Sequence, residues 1–178
     1  MQILAISGSL RAISSNTALL KAAAALAPEG VQIKIYERLG DLPPFNPDRD
    51  GDGVFEVVDD FRRRLKAADG VIFSSPEYAH GVPGVLKNAL DWVVGSSELV
   101  DKPVAMFNAS PRGTFAQASL TETLTVMSAR MVAVAGVTLQ HLGKPLAAEQ
   151  IVEDAEMSRT VRTGIENFRR AISLGAAI

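Results

Sequence analysis

The sequence contains no cysteine, and this absence removes several classes of chemistry. Disulfide bonds, thiolate nucleophiles and cysteine-ligated iron–sulfur clusters are all excluded. Histidine is almost as scarce, because only His80 and His141 occur and they lie far apart along the chain. A zinc site usually needs three or four nitrogen or sulfur ligands, so we expect no metal site.

The sequence also lacks a strong charge of either sign and any very long apolar run. Its 18 Lys and Arg residues face 20 Asp and Glu residues, which gives a net charge of −2. Neither nucleic acid nor an anionic membrane is therefore indicated as a partner. No apolar run approaches the roughly 20 residues of a membrane-spanning helix. The first residues show no basic-then-apolar secretion signal, so we expect a soluble, cytoplasmic protein.

What the sequence does contain is an alternation of short apolar runs with amphipathic stretches. Nearly continuous apolar runs, typical of parallel strands buried on both faces, occur at residues 3–7, 71–74 and 104–107. Segments 31–36 and 137–141 instead alternate apolar and polar residues, which favours edge strands. The sequence therefore predicts a flavodoxin-like, doubly wound α/β fold with a five-stranded parallel sheet in the order 2-1-3-4-5 and helices on both faces.

The predicted helices show apolar faces at helical spacing. The three faces consist of Val54, Val58, Phe61, Leu65 and Ala68, then Ala116, Leu120, Leu124, Met127 and Met131, and finally Val161, Ile165, Phe168 and Ile172. No internal repeat or low-complexity linker interrupts the pattern, so we expect residues 1–178 to form a single domain. Segment 143–156 is interpreted as a tether to the last helix.

The stretch from Ser7 to Thr17 joins the first predicted strand to an alanine-rich predicted helix. A loop in that position directs backbone N–H groups and the positive end of the helix at one point. Several hydroxyl groups, the amide of Asn16 and the guanidinium group of Arg11 add further donors. Such a set suits a phosphate, which offers only acceptor oxygens. Asn16 is also a good N-cap residue, so a turn that merely begins the helix explains the same residues.

This stretch does not match the two common phosphate-binding fingerprints. It has no Gly-Lys-Ser/Thr, and it has only Gly8 where a dinucleotide fingerprint has three glycines. A monophosphate ester held by side-chain hydroxyls fits better, and flavin mononucleotide (FMN) is the commonest such cofactor on this architecture. We expect FMN in preference to FAD, because no glycine-rich path is available for a pyrophosphate.

A second informative stretch follows the carboxyl end of the third predicted strand, where a doubly wound sheet has its ligand crevice. Pro76 stiffens the turn, and Gly81 allows the backbone to approach a flat group. The ring of Tyr78 can lie against a heterocycle. His80 either protonates an acceptor or caps the following helix, and we favour the cap.

Residues 48–59 match the spacing of a calcium-binding loop, with Asp59 in place of the usual final Glu. The helix that enters such a loop is missing, because segment 43–47 contains three prolines. An Asp/Gly loop that caps the following helix explains the same residues. We therefore expect no tight calcium binding there.

Two motifs together carry a family resemblance. The first is Gly8-Ser9-Leu10-Arg11 with Ser14 and Asn16, and the second runs from Pro76-Glu77-Tyr78 through Gly81-Val82-Pro83-Gly84 to Trp92. Over essentially its whole length the sequence resembles the NAD(P)H-dependent FMN reductases, a family that includes quinone, azo-dye and chromate reductases. The resemblance implies a flavodoxin-like fold, bound FMN, and NADPH or NADH as co-substrate. It further implies a small acceptor, and homodimers or homotetramers with the helix over residues 82–94 near an interface.

The resemblance also implies binding roles by position. The residues assigned to the FMN phosphate are Ser9, Arg11, Ser14 and Asn16, with Ser15 donating through its backbone. The residues assigned to the isoalloxazine are Pro76, Glu77, Tyr78 and Ala79, with Ser110 on the other side of the flavin. Many relatives have Asn at the position of Ala79, so only backbone contacts are expected there. The flavin itself does the chemistry, so no side chain is assigned as catalytic acid or base.

Two other functional classes remain as alternatives. A flavodoxin-type FMN electron carrier has no substrate turnover and is expected to be strongly acidic around the flavin, which a net charge of −2 argues against. A nicotinamide-dependent Rossmann dehydrogenase without flavin would use the glycines that are missing here. Steady NAD(P)H oxidation by the isolated protein separates the reductase from the carrier, and a yellow colour excludes the dehydrogenase.

Overall fold

A parallel β-sheet with helices on both faces forms the centre of the protein. The structure is a computed structural model, and it describes residues 1–51 and 53–175. The strands are β1 (Gln2–Ser7), β2 (Gln32–Ile35), β3 (Gly70–Ser74), β4 (Pro103–Asn108), β5 (Arg130–Met131) and β6 (Val137–Thr138). Their order is β2-β1-β3-β4-β5, with β6 also paired to β4, and every pair is parallel. The predicted flavodoxin-like strand order is confirmed.

Alternate residues of the strands enter two separate hydrophobic cores. The helices are α1 (Ser15–Ala25), α2 (Glu56–Ala67), α3 (Gly84–Asp91), α4 (Thr114–Val126), α5 (Ala148–Glu153) and α6 (Ala155–Gly175). Ile3 and Ala5 of β1 pack with α1, α5 and α6, whereas Leu4 and Ile6 pack with α2, α3 and α4. Burial of both faces explains why these strands read as continuous apolar runs.

Two short strands, rather than one, occupy the fifth position of the sheet. A single 3-10 turn at Ala133–Ala135 separates β5 from β6. Helix α4 ends at Val126, and Ser128 follows it in the left-handed region with φ 61°. The prediction that Met131 continues the apolar face of this helix is therefore wrong, because Met131 lies in β5. The predicted strand 137–141 is confirmed only over Val137–Thr138.

The apolar faces of the other two predicted helices agree more closely with the structure. In α6 the side chains of Val161, Ile165, Phe168 and Ile172 are all buried, as predicted. In α2 the buried face begins at Val58, because Val54 precedes the helix and is exposed.

Part of the second sequence motif has a structural role. Trp92 Nε1 and Asn88 Nδ2 both donate hydrogen bonds to the carbonyl oxygen of Pro43, at 2.7 and 3.0 Å. The Phe45 amide donates in turn to Asn88 Oδ1 at 2.8 Å. Because buried polar groups need partners, Asn88 and Trp92 fix the segment around Pro43 against the end of α3.

The candidate calcium loop includes Asp52, which lies outside the described residues. Of the carboxylates nearby, Asp50 pairs with Arg62 at 2.6 Å, and Asp59 Oδ2 accepts a hydrogen bond from the Gly53 amide at 3.1 Å. The absence of tight calcium binding stays a prediction.

Because the strands run parallel, their carboxyl ends meet at one edge of the sheet. Among the connections that leave that edge are the β1–α1 loop (residues 8–14), the β3–α3 loop (residues 75–83), the β4–α4 loop (residues 109–113) and the β6–α5 loop (residues 139–147). Within residues 1–51 and 53–175, no helix is long and apolar enough to cross a membrane.

We predict that Gly164→Ala destabilises the fold, because α6 packs closely on β6 at this point. A Cβ atom at position 164 would overlap the side chain of Val137 and lie 3.1 Å from the carbonyl oxygen of Ala135. Overpacking of this kind costs about 1–3 kcal/mol in the free energy of unfolding, which urea denaturation measures. The control is Gly84→Ala in α3, where a Cβ atom would meet nothing within 4 Å. An equal loss in both variants would contradict the packing argument.

Candidate functional site

The four loops surround a cavity of about 370 Å³ at the carboxyl edge of the sheet. The sequence-predicted residues that line it are Ser9, Arg11, Ser14, Ser15, Asn16, Pro76, Glu77, Tyr78 and Ser110. Ala79 does not line the cavity, because it lies in the exposed turn that follows Tyr78. The structure thus brings the two motifs together at one place, whereas the binding role of each residue stays a prediction.

The β1–α1 loop is held by its own side chains at the start of α1. Ser14 is the N-cap residue, and its Oγ accepts a hydrogen bond from the Thr17 amide at 3.3 Å. The interpretation of Asn16 as the N-cap is therefore wrong. Its Oδ1 atom instead accepts from the hydroxyl of Ser74 at 3.0 Å. Because that contact engages the amide oxygen and Asn16 belongs to the cavity lining, its Nδ2 group is available as a donor to a ligand.

Gly8 is needed for the close approach of two loops. Its amide donates to the carbonyl oxygen of Ser74 at 2.9 Å, which joins the first residues beyond β1 to the end of β3. A Cβ atom at position 8 would lie only 2.5 Å from Ser75 Oγ. A larger residue here would push the β1–α1 loop away from the β3–α3 loop.

The β3–α3 loop contains a tight two-residue turn. The backbones of Tyr78 and Gly81 exchange two hydrogen bonds, at 3.1 and 2.9 Å, around Ala79 and His80. Both central residues are left-handed, with φ of 49° and 59°. Asn and Gly tolerate this region better than other residues do, so Ala79 carries backbone strain.

His80 does not cap α3, which corrects the sequence-based prediction. The N-cap of α3 is Pro83, and the helix has no side-chain cap. The imidazole of His80 instead stacks on the ring of Phe115, with centroids 4.3 Å apart and an interplanar angle of 13°. This stack joins the β3–α3 loop to the first turn of α4.

Glu77 makes a second contact to the same turn of α4. Its Oε2 atom accepts a hydrogen bond from the Ala116 amide at 2.9 Å. In the β4–α4 loop, Ser110 Oγ accepts from the Arg112 amide at 3.3 Å, and both residues line the cavity. The carboxylate of Glu77 is thus engaged with the protein backbone at the edge of the cavity.

The β6–α5 loop forms a wall of the cavity that the sequence interpretation missed. His141, Leu142, Gly143 and Pro145 line it, so segment 143–156, which is interpreted above as a tether to the last helix, begins in the wall of the cavity. The Leu146 amide donates to Ser15 Oγ at 3.0 Å, which fixes this wall to the start of α1. Its position after the carboxyl end of an edge strand is the signal that could have placed it at the site.

The charges at the cavity favour an anion at one end. Among the described residues that line it, the ionic side chains are Arg11, Arg112 and Glu77. The carboxylate of Glu77 faces the amide of Ala116, and the N-terminus of α1 adds a partial positive charge beside Arg11. The arrangement suits a ligand with a phosphate at the α1 end and a flat group between the other loops.

Comparison with known proteins identifies the family. The sequence profile described as NADPH-dependent FMN reductase matches residues 1–142, which is most of the chain. The chain belongs to this family. It is 40% identical over 112 residues to an NAD(P)H-dependent FMN reductase of Pseudomonas aeruginosa, a match that covers 62% of this chain and 60% of that protein. It is 41% identical over 113 residues to an NADPH:quinone oxidoreductase of Arabidopsis thaliana, with 61% and 57% covered.

The fold comparison extends over more of the chain. The solved structure of FerB from Paracoccus denitrificans, a flavoenzyme NAD(P)H:(acceptor) oxidoreductase, is 27% identical and superposes with a TM-score of 0.85. That match covers 98% of both chains. The sequence matches to the curated relatives span less than two thirds of the length of those proteins.

Proposed function

We propose that the protein is an FMN-containing reductase that uses NADPH or NADH. The hydride passes from the nicotinamide through bound FMN to a small acceptor such as a quinone, a free flavin, an azo compound or a metal oxyanion. The observation that carries this proposal is one cavity, in a chain of this family, that joins a set of donors suited to a phosphate to a slot between loops. FMN supplies the hydride chemistry when it is bound, and the protein supplies geometry and electrostatics.

The donors at the start of α1 fit a phosphate monoester. The oxygens of Ser14 and Ser15 accept hydrogen bonds from the amides of Thr17 and Leu146, so each hydroxyl keeps its own proton to donate. Arg11 is exposed at the cavity, and within the described part of the chain no carboxylate pairs with it. The guanidinium group is therefore available for a charge-assisted contact with phosphate.

The other end of the cavity fits a flat ring. Pro76 and Tyr78 lie on one side of it, and the segment around Ser110 lies on another. We assign the isoalloxazine to this space, with backbone contacts only from Ala79. Backbone N–H groups of these loops would stabilise negative charge that develops on the ring during reduction. A cytoplasmic location, and the absence of nucleic acid and membrane partners, stay predictions from the sequence.

The purified protein itself tests the proposal. We expect a yellow protein that releases FMN rather than FAD when denatured, as mass analysis of the cofactor shows, and steady NAD(P)H oxidation with a quinone acceptor. A protein that binds no flavin would contradict the proposal. Flavin binding without NAD(P)H turnover would support the electron carrier instead.

We predict that Arg11→Ala weakens FMN binding by roughly 10- to 150-fold, because a hydrogen bond to a charged partner contributes about 1.5–3 kcal/mol. Arg11→Lys is expected to recover part of the loss, since the compact ammonium group of Lys cannot reproduce the two parallel hydrogen bonds of the planar guanidinium group. A fluorescence-quenching titration measures both, with riboflavin as the control because it has no phosphate. Equal losses for FMN and riboflavin would show that Arg11 holds the loop instead of the phosphate.

We further propose that the protein forms a homodimer or homotetramer through the groove between α3 and α4. Val94 and Val126 line this groove and are 61% and 72% exposed, a large apolar exposure beside the buried Leu90. The groove also carries charges of both signs, because Lys87, which pairs with Asp91 at 2.5 Å, and Glu122 line it. A twofold axis would place this surface against the same surface of a second copy, so that apolar groups meet apolar groups and opposite charges can face each other. We therefore assign a second copy of the chain to this groove.

We predict that Val126→Glu dissociates the assembly, because it introduces a charge into the apolar groove. Sedimentation velocity should then show a monomer at concentrations where the wild type is dimeric or larger. Val134→Glu is the matched control, since Val134 is 74% exposed and lies outside the groove. A monomeric wild type, or equal effects of the two substitutions, would contradict the interface.

A further inference from the structure

Helix α4 begins without a cap of its own. Its N-cap residue is Gly113, which has no side chain, and its first turn contains no acidic residue. The amides at the start of a helix have no partner within the helix, and a side-chain oxygen usually accepts from the second or third of them. Ala116 is the third residue of α4, and its amide donates to Glu77 Oε2 at 2.9 Å. Glu77 therefore supplies, from another loop, the cap that Gly113 cannot provide.

A second contact joins the β3–α3 loop to the first turn of α4. The His80 ring stacks on Phe115, one residue before Ala116 in the same first turn. Glu77 and His80 lie on either side of Tyr78, whose turn requires left-handed backbone at Ala79 and His80. A strained turn persists only when its surroundings hold it, and these contacts on both sides of Tyr78 do so.

We propose that Glu77 is a positioning residue, which holds the β3–α3 loop and the start of α4 at the separation that the flavin ring requires. The identity of that ring rests on the function proposed above. In this role the carboxylate acts through the helix and the loop, not by direct contact with the acceptor. The negative charge of this carboxylate also offsets the positive end of α4 beside the ring, so it disfavours the reduced, more negative form of the flavin.

The contact itself is tested in the protein without cofactor. Hydrogen exchange at the Ala116 amide should be at least about tenfold faster in Glu77→Ala than in the wild type, because a hydrogen bond to a charged acceptor is lost. Glu77→Gln should restore much of the protection, since its amide oxygen can still accept. Glu29→Gln is the control, because it removes the same charge from an exposed turn at the opposite edge of the sheet.

Flavin binding then tests the positioning role. Glu77→Ala should weaken FMN and riboflavin by the same factor, roughly tenfold, because the contact of Glu77 with α4 acts at the ring end of the cavity. Glu77→Gln should recover most of this affinity but favour reduced over oxidised FMN by up to about tenfold, or ~30 mV for a two-electron couple, in a redox titration. A purely structural contact would leave that ratio unchanged.

Each result decides a separate statement. Unchanged exchange at Ala116 in Glu77→Ala would overturn the cap. Faster exchange with unchanged flavin affinity and an unchanged ratio would overturn the positioning role. Failure of the wild type to bind any flavin overturns the proposed function, and the positioning role with it, whereas the exchange measurement still decides whether Glu77 caps α4.

Discussion

Burial of a parallel sheet on both faces is the constraint on which the rest of this structure depends. Parallel strands need helical crossovers, so every strand ends at the same edge and every loop that follows it lies there too. The register also brings the ends of β1 and β3 to the same level, because Ser7 at the end of β1 is paired with Ser74 at the end of β3. The β1–α1 and β3–α3 loops therefore leave the sheet at the same level, where Gly8 lets them touch.

The polar residues at these strand ends connect the sheet to the loops. Ser7, Ser74 and Asn108 are all buried, and each is hydrogen-bonded to an element beyond its own strand. Ser74 donates to Asn16, Ser7 pairs with Thr17 at 2.8 Å, and Asn108 donates to the Thr138 hydroxyl at 3.3 Å. Because an unpaired buried hydroxyl or amide is costly, these contacts fix the orientation of the loops as well as satisfying the strands.

Local patterns in the sequence were sufficient for the sheet and for the residues that come together at its edge. Apolar runs, the two motifs and the rule for carboxyl ends of strands all depend on residues near each other in the chain. The errors at the site itself depend on distant partners. Asn16 accepts a hydrogen bond from Ser74, 58 residues away, and Ser15 accepts one from the Leu146 amide, 131 residues away. His80 stacks on Phe115 of α4 and does not cap α3, the helix that follows it in the sequence. The strand-end rule also applies to the β6–α5 wall, although it was not applied there, whereas the cap of α4 joins Glu77 to Ala116, 39 residues away, and has no local signal.

The cavity is consequently held in two different ways at its two ends. At the α1 end, Ser14 and Ser15 accept backbone N–H groups and keep their own protons, so that binding of an anion adds to the existing network instead of breaking it. At the α4 end, the carboxylate of Glu77 accepts from a helix amide, and Arg112 is a second ionic side chain of the lining. One end therefore keeps hydroxyl donors, as the proposed phosphate site requires, while the other has a fixed geometry and ionic groups of both signs. That division suits a cofactor with a dianionic tail and a ring whose charge changes during turnover, since the tail needs constant attraction and the ring does not.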